Sequence, residues 1–125
     1  MIVSRASATR EILIEGRRDE LANLSTQIRG GHPFESELKS SQSRAYDQTV
    51  EDVKVVTIPG RHVSIKCDDD LTIIIAGDSK YLEVLADNIG NLAKGTISGP
   101  IHVEYFPNHF YLDQNSDPVV VKVSS

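Results

Sequence analysis

Long apolar runs are missing from this 125-residue chain, and so is any cluster of basic residues. No stretch approaches the ~20 consecutive apolar residues of a membrane-spanning helix. The opening, Met1 to Ser7, lacks the apolar core of a secretory leader. The expectation is a cytoplasmic protein with no membrane partner. Cysteine is nearly absent: Cys67 stands alone, which excludes an internal disulfide. At the end of an apolar stretch it reads as a small, near-buried side chain rather than a nucleophile. Basic residues also thin out along the chain. Residues 1–66 hold ten Lys and Arg against nine Asp and Glu, whereas residues 67–125 hold three against nine. A nucleic-acid binder would display a basic patch, and none is visible, so nucleic acid is not an expected partner.

The motifs that announce chemistry are missing too. Gly16 and Gly77 each precede a helical stretch, but neither belongs to a GxGxxG or GxxxxGK[ST] run, so no phosphate cradle is implied. No Ser-His-Asp or Cys-His grouping can be placed by spacing. Asp113-Gln-Asn-Ser-Asp117 begins like a calcium loop. Pro118 then stands where the EF-hand turn needs Gly, and Ser124 where it needs Glu, so the stretch reads as a turn. Nothing points to an enzyme or a cofactor.

What is present is ordinary globular usage, 39% hydrophobic and 25% charged. That composition and length fit one folded domain, 1–125. Arg10–Glu15 is Ile-rich and predicts a strand ended by Gly16. Residues 17–29 place Leu21, Leu24, Ser25 and Ile28 at helical spacing, stopped by Gly30-Gly31. Residues 32–51 are polar and poorly periodic, and disorder is the expectation for them. Val53–Ile58 and His62–Cys67 predict a hairpin around Pro59-Gly60. Leu71–Ala76 is continuously apolar, as a strand buried on both faces would be. Asp78 is a candidate N-cap for a helix from Ser79 to about Lys94, with Leu82, Leu85, Ala86, Ile89 and Leu92 as its buried stripe and Gly95 as its stop.

Sliding the chain by 61 residues overlays Ile12, Ile14 and Gly16 on Ile73, Ile75 and Gly77. Leu21, Leu24, Ser25 and Ile28 then fall on Leu82, Leu85, Ala86 and Ile89. The chain thus reads as two strand–helix–hairpin pseudo-repeats, 10–67 (with polar loop 32–51) and 71–123, plus a final strand at Val119–Val123. The expected class is α+β: a mixed β-sheet with two helices packed on one face. In that arrangement Asp68-Asp69-Asp70, Asp113 to Asp117 and both helix C-termini share one strongly negative edge.

Residues 101–113 predict a second hairpin turning at Pro107-Asn108. Alternation puts Ile101, Val103, Tyr105, Phe110 and Leu112 against the core. His102, Glu104, Phe106, His109, Tyr111 and Asp113 fall on the polar face. His102, Glu104, His109 and Asp113 are types that ligate zinc or iron. His102 and Asp113 would lie roughly 13 Å along the strand from His109, too far for one ion, so no metal is expected.

The tail, from His102-x-Glu104-Tyr-Phe-Pro-Asn-His109 through Ser116-x-Pro118-Val-Val-Val, resembles the closing segment of the immunity protein 32 family of bacterial polymorphic toxin systems. Ile73-Ile-Ile-Ala-Gly77 with Tyr81-Leu82 and Leu85-Ala86 is similar to that family's core. The resemblance covers residues 71–123. It implies a non-enzymatic protein that binds and neutralises a cognate toxin domain, often a nuclease, inside the producing cell. Nucleases carry basic clefts, and an acidic partner is steered to them quickly. The expected contact residues are Asp68, Asp69, Asp70, Asp113 and Asp117, with Phe106, His109 and Tyr111 as aromatic anchors. Two other readings stay open: a structural or regulatory interaction module pairing through a strand edge, and a metal-dependent enzyme on the hairpin histidines. Monomer and homodimer both remain open.

Overall fold

A computed structural model describes residues 1–30, 38 and 45–124. A strand not expected from the sequence opens the chain. β1 (Ile2–Arg5) pairs antiparallel with β2 (Ile12–Gly16), whose Ile12 and Ile14 face the core. At four residues, β1 is too short for alternation to stand out. Helix α1 (Arg18–Gly30) follows, with Asp19 and Glu20 in its first turn and Arg29 in its last, charges matched to the helix dipole. Its buried stripe is the expected one, Leu21, Leu24, Ser25 and Ile28.

Residues 31–37 and 39–44 lie outside the described residues, and with them most of the polar stretch for which disorder is expected. The end of that stretch is not disordered. β3 (Gln48–Thr49) pairs with β1, and Val50 is buried, its amide donating to the Val3 carbonyl at 2.9 Å.

β4 (Asp52–Thr57), β5 (Ser64–Cys67) and β6 (Thr72–Gly77) come next. The expected hairpin between the first two does not form. β6 lies between them, parallel to β4 and antiparallel to β5. The most apolar strand takes the centre, where both its edges are satisfied. It is not buried on both faces, however: Ile74 is 36% exposed, in register with Lys54 and Lys66 on either side.

Helix α2 (Ser79–Lys94) starts at Asp78, whose carboxylate accepts the Lys80 amide at 3.0 Å, and stops at Gly95 with φ 77°. Its stripe, Leu82, Leu85, Ala86, Ile89 and Leu92, is buried as expected. β7 (Ile101–Val103) and β8 (Val119–Val123) close the chain.

The α+β class, the mixed pairing and the two helices match the sequence expectation, but the strands divide into two sheets, β3-β1-β2-β8-β7 and β4-β6-β5. The helices pack on each other in antiparallel fashion. Ser25 Oγ donates to the Ala86 carbonyl at 2.6 Å, and Arg18 Nη1 at the start of α1 donates to the Leu92 carbonyl at the end of α2 at 3.2 Å. The two helix C-termini therefore lie at opposite ends, which corrects the single negative edge expected to gather both.

Ser25 and Ala86, which the 61-residue offset overlays, thus meet at the contact between the helices. The equivalence orders the sheets as well. With the chain divided after β4, rather than after Cys67 as in the expected repeats, β2 and its counterpart β6 each take an antiparallel neighbour from their own half (β1, β5) and a parallel one from the other half (β8, β4). The correspondence thus runs β1, β2, α1 and β4 onto β5, β6, α2 and β8, with the last of these strands exchanged between the two sets, whereas β3 and β7 differ, β3 pairing with β1 and β7 with β8. Ile12, Leu21, Leu24, Ile28, Ile73, Ile75, Leu82, Leu85, Ile89 and Leu92 fill the core between helices and sheets, each worth about 1.5–3 kcal/mol of burial.

Candidate functional site

The segment between β7 and β8 carries most of the chemistry singled out in the sequence. The turn at Pro107-Asn108 forms: the His109 amide donates to the Phe106 carbonyl at 3.0 Å, and Asn108 adopts φ 68°. The hairpin around it does not. β7 pairs with β8, Ile101 opposite Val121 and Val103 opposite Val119, so residues 104–118 are a long loop. The stretch expected as the returning strand is taken by β5 instead. The Val63 amide donates to the Tyr111 carbonyl at 2.8 Å, the Asp113 amide to the Val63 carbonyl at 2.7 Å, and the Asp117 amide to the Ile65 carbonyl at 2.8 Å. An otherwise bare edge of β5 is satisfied in this way.

Losing the hairpin overturns the face assignment. Tyr111, expected on the polar face, is buried (5% exposed), while Tyr105 and Phe110, expected in the core, are 38% and 66% exposed. Phe106, as expected, faces out at 60%. These rings gather round His109. Ring centroids lie 4.6 Å away for Phe106 and for Tyr111, 6.1 Å for Phe110 and 6.5 Å for Tyr105. His109 Nδ1 accepts the Leu112 amide at 3.0 Å and the Tyr111 amide at 3.4 Å, so the imidazole pins the chain that follows it. Burial, and then the nearby His62, lower the His109 pKa, which keeps the ring uncharged at neutral pH. Beneath it Tyr111 Oη accepts from Asn88 Nδ2 of α2 at 3.3 Å, and burial pushes that phenol's pKa up. Beside the loop, His62 stacks on Tyr81 at 4.5 Å. Phe110, Tyr105, His62 and Tyr81 escape sequence reasoning. The aromatic density of residues 105–111 was the available signal, and alternation pointed the wrong way for Tyr105 and Phe110.

The five aspartates do not form one edge. Asp68 Oδ1 accepts the Asp70 and Thr72 amides, each at 3.0 Å, and so shapes the β5–β6 turn on which Asp69 and Asp70 are exposed. Asp117 lies beside that turn but is 6% exposed and occupied. It accepts Arg10 Nε at 3.0 Å, Arg10 Nη2 at 3.4 Å and the Cys67 amide at 3.2 Å, and its carboxylate holds the Arg10 pKa above the usual arginine value. Asp113 is carried to the far end of β5, next to Val63 and the aromatic loop. Its Oδ1 accepts the Asn115 amide at 2.8 Å. Among the described residues, Asp68, Asp69, Asp70 and Asp113 have no salt-bridge partner. Cys67 is buried, and burial raises its pKa, the opposite of what a nucleophile needs.

Among the described residues, no three His, Cys, Asp or Glu side chains converge as a metal ion would require. Among the same residues, no helix is long and apolar enough to cross a membrane.

Residues 72–123, from β6 through α2 and the aromatic loop to the end of β8, match the family described as Immunity protein 32. The match supports an immunity role in general and a protein as the partner. No curated protein matches the chain, and no solved structure matches it.

Proposed function

From the match over residues 72–123, we propose that this protein neutralises a cognate bacterial toxin domain by binding it, and that the loop 104–118 is the principal docking surface. The single observation that carries the placement is the trio of solvent-facing rings, Tyr105, Phe106 and Phe110, set on a base fixed by His109, buried Tyr111 and Leu112. Large exposed rings on a rigid support lose little entropy on binding and are the usual anchors of a protein interface. Aspartates 68–70 and 113, which have no salt-bridge partner among the described residues, add a negative field suited to a basic toxin, such as a nuclease with its substrate cleft. Asp117, spent on Arg10, supports the surface from within. The protein acts by covering its target and transforms nothing. It works in the cytoplasm of the cell that makes the toxin.

The test starts with the toxin domain encoded beside this gene, co-purified with the chain and then titrated against it. Phe106→Ala and Phe110→Ala should each weaken binding by about tenfold or more, at least about 1.4 kcal/mol. Melting temperature should hardly change, because both rings are exposed. Reversing the charges at Asp68, Asp69 and Asp70 should slow association at low salt. Unaltered affinity in both ring variants would move the interface elsewhere.

A further inference from the structure

Beside the exposed rings lies a concavity of about 180 Å³, lined by His62, Tyr105, His109, Leu112, Asp113 and Gln114. Its volume suits one long side chain rather than a small-molecule cofactor. Its walls are of two kinds. Tyr105, His109 and His62 supply ring surface, and Asp113 supplies a carboxylate with no salt-bridge partner among the described residues. One Asp113 oxygen is engaged by the Asn115 amide at 2.8 Å, which fixes the carboxylate's orientation. Ring faces carry negative electrostatic potential, so a wall of rings beside a fixed carboxylate attracts a cation and stacks well against a planar one.

We propose that this concavity receives an arginine side chain of the partner protein, its guanidinium paired with Asp113 and stacked on Tyr105 or His109. The inference rests on the docking reading above and deepens it, naming the chemical group that the partner must present. The surroundings are compatible. His109 is kept uncharged by burial, so this imidazole of the lining does not repel a cation. The neighbouring ring pair already shows the same preference: Lys80 Nζ sits 4.9 Å from the centroid of Tyr81, which stacks on His62. Arginine fits better than lysine because its flat, weakly hydrated head can both stack and form a forked pair with the carboxylate.

Two measurements on the full chain test this. In the first, backbone amide spectra are recorded as the protein is titrated with N-acetyl-arginine amide and, separately, with its uncharged isostere N-acetyl-citrulline amide. Shifts at Tyr105, His109 and Asp113 with the arginine compound only, abolished in Asp113→Asn, are the expected result. No response at these residues, or an equal response to both compounds, overturns the proposal. Asparagine keeps the oxygen that accepts the Asn115 amide, so this variant should fold, and its melting curve checks that. In the second, Asp113→Asn is titrated against the toxin domain, where a loss of tenfold or more is expected. Should Asp113→Asn bind as well as wild type while Phe106→Ala binds poorly, the arginine receptor is wrong and the docking surface stands. Should the wild-type chain fail to bind the toxin domain at all, the docking reading falls, and the first titration still decides whether the concavity recognises a guanidinium.

Discussion

His109 is the residue on which the loop's shape turns, because one nitrogen of its ring does the work of a turn residue. Nδ1 can accept the Leu112 and Tyr111 amides only while unprotonated. Burial lowers its pKa below the ordinary 6.5. The folded protein therefore binds fewer protons at this site than the unfolded chain once pH drops below about 6.5. The stability gained from the neutral ring is complete above that value. It declines as pH falls towards the lowered folded pKa, below which no more is lost. Urea unfolding between about pH 7 and pH 5 should show this decline in the wild type and a flatter profile in His109→Asn, carboxylates titrating mostly lower. Equal slopes in the two proteins would show that the imidazole does not hold the loop. None of this is legible in the sequence, where His109 is one of several polar side chains on an expected strand. Its role depends on the two amides that follow it being free of a sheet, a tertiary fact. Asp117 makes the same point in reverse: in sequence it looks like another surface acid, and Arg10, far away along the chain, takes it out of circulation.

At the scale of elements, most of what periodicity can show is there. Both helices, their buried stripes, the Asp78 and Gly95 caps and the cores of β4, β5, β6 and β8 could be read directly. What failed was pairing. Two adjacent strands with Pro-Gly between them suggest a hairpin, yet β4 and β5 flank β6, and the segment after Pro107-Asn108 lies along β5 rather than returning to β7. Local turn chemistry sets a reversal, whereas the choice of neighbour is set by which edge is left unsatisfied. The two glycines that end β2 and β6 illustrate how equivalent positions acquire different constraints. A Cβ on Gly77 would stand 2.9 Å from the Val63 Cα, a backbone atom held by its bonds to Tyr111 and Asp113. A Cβ on Gly16 would meet Met1 Cγ at 3.0 Å, part of a flexible side chain. Gly77→Ala should therefore cost about 1–3 kcal/mol in chemical denaturation, and Gly16→Ala less than about 1 kcal/mol. Similar losses in both would mean that the 62–63 loop yields as easily as a methionine.

For the molecule as a whole, the exchange of final strands decides what can fold alone. Each sheet has at its centre a strand, β2 or β6, whose parallel neighbour comes from the opposite half of the chain. The helix pair joins the halves again through Ser25 and Ala86. A chain cut at Pro59-Gly60, in the exposed loop after β4, leaves 1–59 without the partner for β2 and 60–125 without the partner for β6. Each piece would expose an apolar strand edge and one side of a helix that the intact protein buries, and neither has enough remaining core to offset the conformational entropy of folding. The matched segment 72–123 is smaller still, lacking β4 and β5 on either side of β6, so it marks a recognisable half rather than a folding unit. Separately purified, both fragments should show weak, non-cooperative thermal transitions by circular dichroism. Mixed at equal concentration, they should regain a cooperative transition whose midpoint rises with concentration, as expected for association-coupled folding. A sharp, concentration-independent transition in either fragment alone would mean that its half closes its own sheet, and the exchanged architecture would then not be what holds this protein together.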